Sequence, residues 1–274
     1  MPELPEVETI RAQLAPVLAG RSFESVEILD ERLTRPVDPR LIEAQLEGER
    51  VRSVDRRGKY VVVRFDSDLV LLVHLRMTGT FLVAHGGKLP ADPHRRAVVS
   101  LDDGSDVAYR DVRRFGTWLV LEADELTGYL SERLGEEPLS PLFTVACLAR
   151  RLAGRRAAVK AALLDQRAVA GIGNIYVDEA LWYARVHPLR PAGDLDTDEI
   201  AAVRRGVRRA LRIGIRRQGA TLNDYRTPTG RRGTMQHEFK VYGRVGEPCP
   251  RCGTPIAKTR VAGRGTSFCP ICQR

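Results

Sequence analysis

The sequence predicts an α+β chain: an amino-terminal β-sandwich with flanking helices, then a helical domain, then a small metal-stapled hairpin. Three observations carry that prediction. Short apolar alternations of strand length recur from Phe23 to Leu121, helical periodicities replace them beyond Leu126, and two Cys-x2-Cys pairs close the chain. Domains are therefore expected at 1–134, 135–238 and 239–274.

The first element is a helix. From Glu6 to Leu18, Val7, Ile10, Leu14, Val17 and Leu18 keep a helical period, Gly20 supplies the stop, and Pro16 is expected to kink the last turn. Strand-like runs follow at Phe23 to Ile28, Val51 to Val54, Tyr60 to Phe65, Leu69 to Leu75, Thr80 to Val83, Ala97 to Leu101, Val107 to Arg110 and Thr117 to Leu121, with a short helix started by Asp38-Pro39. So many short strands of similar length indicate two packed sheets or a barrel. Helical patterns then cover Leu148 to Leu152, Val159 to Leu164 and Ile175 to Tyr183, and the longest helix follows Asp196. That helix puts Ile200, Val203, Val207, Leu211 and Ile215 on one face and six arginines on the other; a solvated face explains the arginines as well as a binding face does. Between Gln218 and Phe239 lies a polar, glycine-containing stretch with no period, a length of loop that tends to be functional or disordered.

Composition narrows the class of partner. Among 274 residues, 44 are basic and 35 acidic, a net charge of +9 that suits a polyanion. Only Lys59, Lys88, Lys160, Lys240 and Lys258 of the basic residues are lysine, a ratio that reflects gene composition more than selection, but one that makes each lysine worth examining. No apolar run reaches the roughly 18 residues of a membrane span, and no charged leader precedes a hydrophobic stretch, so a cytoplasmic protein is expected. Four of the five cysteines are paired near the end and Cys147 stands alone, a usage that fits metal binding in a reducing compartment.

Several motifs carry chemistry. Pro2 favours removal of Met1, which would expose a prolyl secondary amine; condensed with an aldehyde, such an amine gives an iminium that is cationic at every pH and drains electrons for elimination. The plain alternative is a helix start, since Pro and Glu suit any first turn. Cys249, Cys252, Cys269 and Cys272, spaced C-x2-C-x16-C-x2-C, fit one structural zinc ion with no open position for substrate. Between the pairs, Ala257 to Arg260 and Gly265 to Phe268 read as a hairpin, and Arg264 at its turn either faces a phosphate or is only a turn residue. Gly171-Ile172-Gly173-Asn174 either forms a phosphate-binding nest or leaves Asn174 to cap its own helix. Lys59 sits at a strand start, as a phosphate contact or as a solvated end. Met77, Arg113 and Phe115 say little separately, since Met and Phe are usually core.

Taken together and in order, Pro2-Glu3-Leu4-Pro5-Glu6-Val7-Glu8-Thr9, Lys59, the Met77 and Arg113–Phe115 segments, Gly171-Ile172-Gly173-Asn174 and the cysteine pairs resemble the formamidopyrimidine-DNA glycosylases from Pro2 to Cys272. The resemblance implies that the central domain is a helix-two-turn-helix unit and that the chain is a bifunctional glycosylase and AP lyase acting on oxidised purines in duplex DNA. It implies Pro2 as nucleophile, Glu3 as acid/base, Glu6 in support, and Lys59 and Arg264 as further catalytic residues. DNA contacts are implied at His74, Asn174, Arg113, Lys160 and Arg264, with Met77, Arg113 and Phe115 filling the void left by an everted nucleotide and Arg113 facing the orphaned cytosine. A monomer associated with DNA in the cytoplasm is expected. One departure concerns the loop expected to close over the extruded base, where Thr234-Met235 stands in place of an aromatic residue. Two alternatives remain open: an endonuclease VIII-like enzyme for oxidised pyrimidines, and a zinc-ribbon binder of damaged DNA with Pro2 inert.

Overall fold

The structure, a computed structural model, describes residues 1–86 and 89–274; Lys88 lies outside the described residues. Two compact units emerge, Met1–Leu130 with Gln218–Thr234, and Ser131–Arg217 with Met235–Arg274.

In the first unit, helix α1 spans Leu4–Leu18 and buries Val7, Ile10, Leu14 and Leu18. Pro16 falls in its last turn, where a missing N–H removes a single bond, and the helix continues to Leu18. Gly20, at φ +79°, takes the left-handed turn out. Strand β1 (Phe23–Ile28) and helix α2 (Pro39–Leu46) follow, the latter capped by Asp38, whose carboxylate accepts from Arg40 N at 2.9 Å.

Seven more strands complete two four-stranded sheets: β2 (Val51–Arg57), β3 (Tyr60–Phe65), β4 (Leu69–His74), β5 (Thr80–Ala84), β6 (Arg95–Leu101), β7 (Asp106–Arg110) and β8 (Thr117–Glu122). One sheet is ordered β1-β6-β7-β5 and the other β2-β3-β4-β8, with every pairing antiparallel. Aromatic pairs join the sheets across the core, Phe23 on Phe65 at 5.3 Å and Tyr109 on Trp118 at 5.7 Å between ring centroids. Each such pair adds about 0.5–1.5 kcal/mol beyond the area it buries. Strand β3 is buried almost continuously rather than alternately; its Val61, Val63 and Phe65 face the sandwich core, where Val7, Ile10, Leu14 and Leu18 of α1 also pack.

Gln218–Thr234 departs from the expected boundaries, which assign it to the helical domain. It folds with the first unit, where Val83 N donates to Pro228 O at 3.2 Å and the Thr80 hydroxyl donates to Arg226 O at 2.8 Å. Strand β5 is a sheet edge, and its unpaired N–H gains a partner this way.

The second unit follows α3 (Ala123–Ser131) and contains α4 (Val145–Leu152), α5 (Val159–Leu164), α6 (Asn174–Ala184), α7 (Thr197–Arg216) and the hairpin of β9 (Ala257–Val261) and β10 (Arg264–Phe268). A reciprocal box starts α7, with Glu199 N donating to Asp196 at 2.8 Å and Asp196 N donating to Glu199 at 3.1 Å. The hairpin packs on α6 within the same unit. At its turn Ala262 and Gly263 both have positive φ, +48° and +75°, the geometry of a two-residue turn that matches strand twist. No helix among the described residues is long and apolar enough to cross a membrane.

Helices α6 and α7 approach closely at Gly206, where an added Cβ would lie 2.3 Å from Ala180 O. Backbone cannot yield as a side chain can, so Gly206→Ala is expected to lower stability by about 1–3 kcal/mol, read as a fall in the urea midpoint at unchanged m-value.

Candidate functional sites

The first unit holds the candidate chemistry. Pro2 is buried, and Glu3 and Glu6 are each only 2% exposed at the start of α1. Glu6 is the local clamp: Oε2 accepts from Glu3 N at 2.9 Å and Oε1 accepts from Ala220 N at 2.7 Å. Its carboxyl packs against Gly219, where an added Cβ would meet Glu6 Cγ at 2.7 Å, and Gly219 itself has φ +78°. A substitution there is refused on both grounds. Burial and the Glu6 carboxylate beside it push the Tyr225 phenol above its ordinary range, so that ring stays neutral and its hydroxyl donates to Gln218 O at 3.1 Å. The long loop thus carries an aromatic residue at Tyr225. Met235, expected in that loop, is instead fully buried in the second unit.

Lys59 lies in the two-residue turn between β2 and β3, where Gly58 takes φ +58°; at 7% exposure it is no solvated strand end. Arg56 fixes the same corner to α1 through Glu8 at 2.9 Å. His74 ends β4 and stands edge-on to Tyr60 with 4.6 Å between ring centroids. Its Nδ1 accepts from Arg76 N at 3.0 Å, which places the ring proton on Nε2. Burial, then the positive charges of Arg76 and Lys59, hold the imidazole down to about 3. Any phosphate contact of His74 would come from a neutral Nε2–H.

Met77 and Phe115 are not core residues. They are 39% and 50% exposed on two adjoining loops, and Arg113 lies over the Phe115 ring at 4.9 Å.

In the second unit the expected residues converge on one carbonyl. Asn174 is the first residue of α6 and leaves the capping position to Gly173; its Nδ2 donates to Gly265 O at 3.0 Å, on the residue next to Arg264. Lys160 reaches the same oxygen from α5 at 3.0 Å, donates to the Thr266 hydroxyl at 2.8 Å and pairs with Asp178 at 2.7 Å. Lys160, expected to contact DNA, has a fully buried side chain whose ammonium is held by the hairpin and Asp178. Arg264 itself is exposed at the turn.

Asp178 and Glu179, unnoticed in the sequence, complete this frame. Asp178 accepts from Ser267 N at 2.9 Å, and burial pushes its carboxyl up to about 6 against the opposing pull of Lys160. Glu179, also buried, accepts from the backbone N–H groups of Lys240, Val241 and Tyr242 within 3.0 Å. Two adjacent carboxylates in the otherwise apolar Ile175–Tyr183 run were the available signal, since a buried charge needs partners.

The four cysteine Sγ atoms lie within 4.8 Å of one another, close enough for one tetrahedral ion. Trp182 Nε1 donates to Cys249 Sγ at 3.4 Å and Cys272 N to Cys269 Sγ at 3.4 Å, contacts that suit thiolates. The donor set fits one structural zinc. On α7, Arg204 and Arg208 are held by the carbonyls of Phe143, Pro138 and Ser140, so part of the arginine face serves packing.

Residues 1–118 match the formamidopyrimidine-DNA glycosylase N-terminal domain, 134–226 the H2TH domain of the same enzymes, and 246–274 a zinc finger found in FPG and IleRS. Fold and site together are those of a helix-two-turn-helix DNA glycosylase with a zinc hairpin. The formamidopyrimidine-DNA glycosylase of Roseiflexus sp. (strain RS-1) is 48% identical over 275 residues, covering all of both chains. A complex of a Lactococcus lactis FPG mutant with Fapy-dG-containing DNA superposes with a TM-score of 0.93 at 36% identity, and one of the wild-type enzyme with oxidised-pyrimidine-containing DNA at 0.91 and 36%, each covering all of both chains. The chain belongs to the formamidopyrimidine-DNA glycosylase family.

Two expectations follow from this geometry. Lys160→Met leaves Asp178 buried without its cation and should cost about 3–5 kcal/mol of stability in thermal unfolding, while the salt dependence of DNA binding stays unchanged. An unfolded histidine titrates near about 6.5, whereas folded His74 stays neutral to about 3. As pH falls through that window the unfolded chain takes up a proton that the folded chain refuses, so the stability from this site is present above about 6.5 and is lost toward 3. Imidazole NMR of the folded protein should show no His74 inflection between about pH 5 and 8.

Proposed function

We propose that this glycosylase excises oxidised purines from duplex DNA through the nitrogen of Pro2 and then cleaves the strand by successive β and δ eliminations. The observation that carries the reading is the pairing of Pro2 with a Glu3 carboxyl at 2% exposure, at the head of a helix locked by Glu6.

With Met1 removed, the Pro2 lone pair attacks C1′ as the base–sugar bond breaks, and the departing base takes up a proton from Glu3 or a water linked to it. Opening of the sugar ring moves electrons onto O4′, which is protonated, and leaves an iminium between Pro2 and C1′. Loss of a C2′ proton then expels the 3′ phosphate. A second elimination expels the 5′ phosphate, and hydrolysis returns the free amine.

A stacked base hides C1′, so the nucleotide must swing out and the void must be filled. Exposed Met77 and Phe115 suit that work, and Arg113 suits the acceptors of an unpaired cytosine. Asn174, Arg264, Lys59 and neutral His74 are proposed phosphate contacts. The zinc ion would be held by Cys249, Cys252, Cys269 and Cys272 and would supply shape to the hairpin, with no part in the reaction. A DNA-bound existence in the cytoplasm accords with this reading. Thymine glycol, the substrate of the alternative enzyme, should be the poorer lesion.

The test is borohydride trapping with intact-mass analysis on duplexes carrying 8-oxoguanine opposite cytosine or thymine glycol opposite adenine. The expected result is one covalent adduct at Pro2 of a chain lacking Met1, formed faster on the first duplex. Pro2→Gly, whose primary amine gives an iminium that can lose its charge, should reduce the rate by at least about tenfold. An active preparation that retains Met1, or one that yields no adduct, refutes the mechanism.

A further inference from the structure

Met77 and the Arg113–Phe115 pair sit on different loops, 75–79 and 111–116, and the structure joins those loops through one side chain. Asp111 is 1% exposed and its carboxylate takes four hydrogens. Oδ1 accepts from the Thr78 hydroxyl and from Arg113 N at 3.2 Å; Oδ2 accepts from Phe115 N at 2.9 Å and Gly116 N at 2.7 Å. Thr78 answers by accepting from Arg113 N at 3.0 Å. The residue after Met77 and the residues that carry Arg113 and Phe115 therefore share one anion.

The backbone around this anion is under constraint. Arg76 and Arg114, each immediately before an exposed apolar residue, take the left-handed region at φ +49° and +58°. Non-glycine residues hold such conformations at a cost of about 1–3 kcal/mol, and only where surrounding contacts dictate them. Here the contacts are His74 Nδ1 accepting from Arg76 N, and Asp30, 6% exposed, which receives Arg114 at 2.6 and 2.8 Å. The floor is equally tight: an added Cβ on Gly79 or Gly116 would lie 2.3 Å or 1.9 Å from the Tyr109 hydroxyl.

Resting on the void-filling reading above, we propose that Asp111 is a positioning residue that makes Met77, Arg113 and Phe115 a single rigid wedge, and that this rigidity sets discrimination for the base opposite the lesion. The carboxylate is required as such. Asparagine has the same shape but a single acceptor oxygen: turned one way its NH2 meets the Phe115 and Gly116 N–H groups, and turned the other it meets Arg113 N and forces the Thr78 hydroxyl to reverse from donor to acceptor. One side of the joint must open, and Arg113 loses the fixed placement needed to read cytosine.

The experiment compares single-turnover excision of 8-oxoguanine opposite cytosine and opposite adenine. Asp111→Asn should lower the cytosine-to-adenine rate ratio by about tenfold, the scale of one discriminating base contact. Loss of general stability would slow both duplexes alike and leave the ratio intact. Thr78→Val, which removes only the hydroxyl bridge, should move the ratio in the same direction, and Thr78→Ser should restore it. Arg113→Ala and Phe115→Ala test the underlying reading separately. If these two collapse the ratio while Asp111→Asn and Thr78→Val leave it unchanged, the wedge stands and the coupling through Asp111 is overturned. If neither Arg113→Ala nor Phe115→Ala alters it, the void-filling reading fails and this proposal with it. Should Asp111→Asn not fold, the Thr78→Val and Thr78→Ser pair decides.

Discussion

The chain terminus proposed to react takes its position from the backbone that follows it. In this protein that backbone is fixed by the buried Glu6 carboxylate, which accepts from Glu3 N on one oxygen and from Ala220 N, more than two hundred residues away in sequence, on the other. Taking a carboxylate out of water is expensive unless its lone pairs are met. Gly219 lets the loop come within contact of Glu6, and Tyr225 closes over the same corner through Gln218 O. The head of α1 and the long loop are consequently one construction, and a disturbance of either is felt by Pro2 and Glu3.

The second unit solves a related problem with buried charge. An exposed arginine on a two-residue turn is useful to a phosphate only if the turn does not wander. Lys160 and Asn174 both donate to Gly265 O, Asp178 receives Ser267 N, and Trp182 meets the cysteine cluster at the far end of the hairpin. Metal binding and hairpin folding are coupled in such ribbons. The lysine–aspartate pair is better read as fixing geometry than as adding stability, because desolvation offsets much of its Coulomb attraction. Glu179 extends the frame by gathering three successive amides of 240–242 onto α6.

Several parts of this arrangement could be read from local pattern. The period of α1, the strand runs, the Asp196 start of α7 and the cysteine spacing are properties of neighbouring residues, and each element appears where its pattern stands. The joint motif pattern also placed the chain in its family. What escaped were contacts whose partners are distant. Nothing near Lys160 distinguishes a phosphate ligand from a buried strut, since the deciding groups, Asp178, Gly265 and Thr266, arrive from other elements. Asn174 looked equally like its own helix's cap until Gly173 took that place.

The sequence by itself determined the two-sheet start, the helical middle and the metal-binding end, because those follow from periodicity, turn chemistry and spacing along the chain. Tertiary structure decided which charges are buried and by what they are met, that Gln218–Thr234 belongs with the sandwich, that Met77 and Phe115 face outward, and that Asp111 ties their loops together. The physical reason is that burial and hydrogen-bond satisfaction are set by neighbours in space. A carboxylate or an ammonium reads the same in a sequence whether it meets water or four protein donors and acceptors.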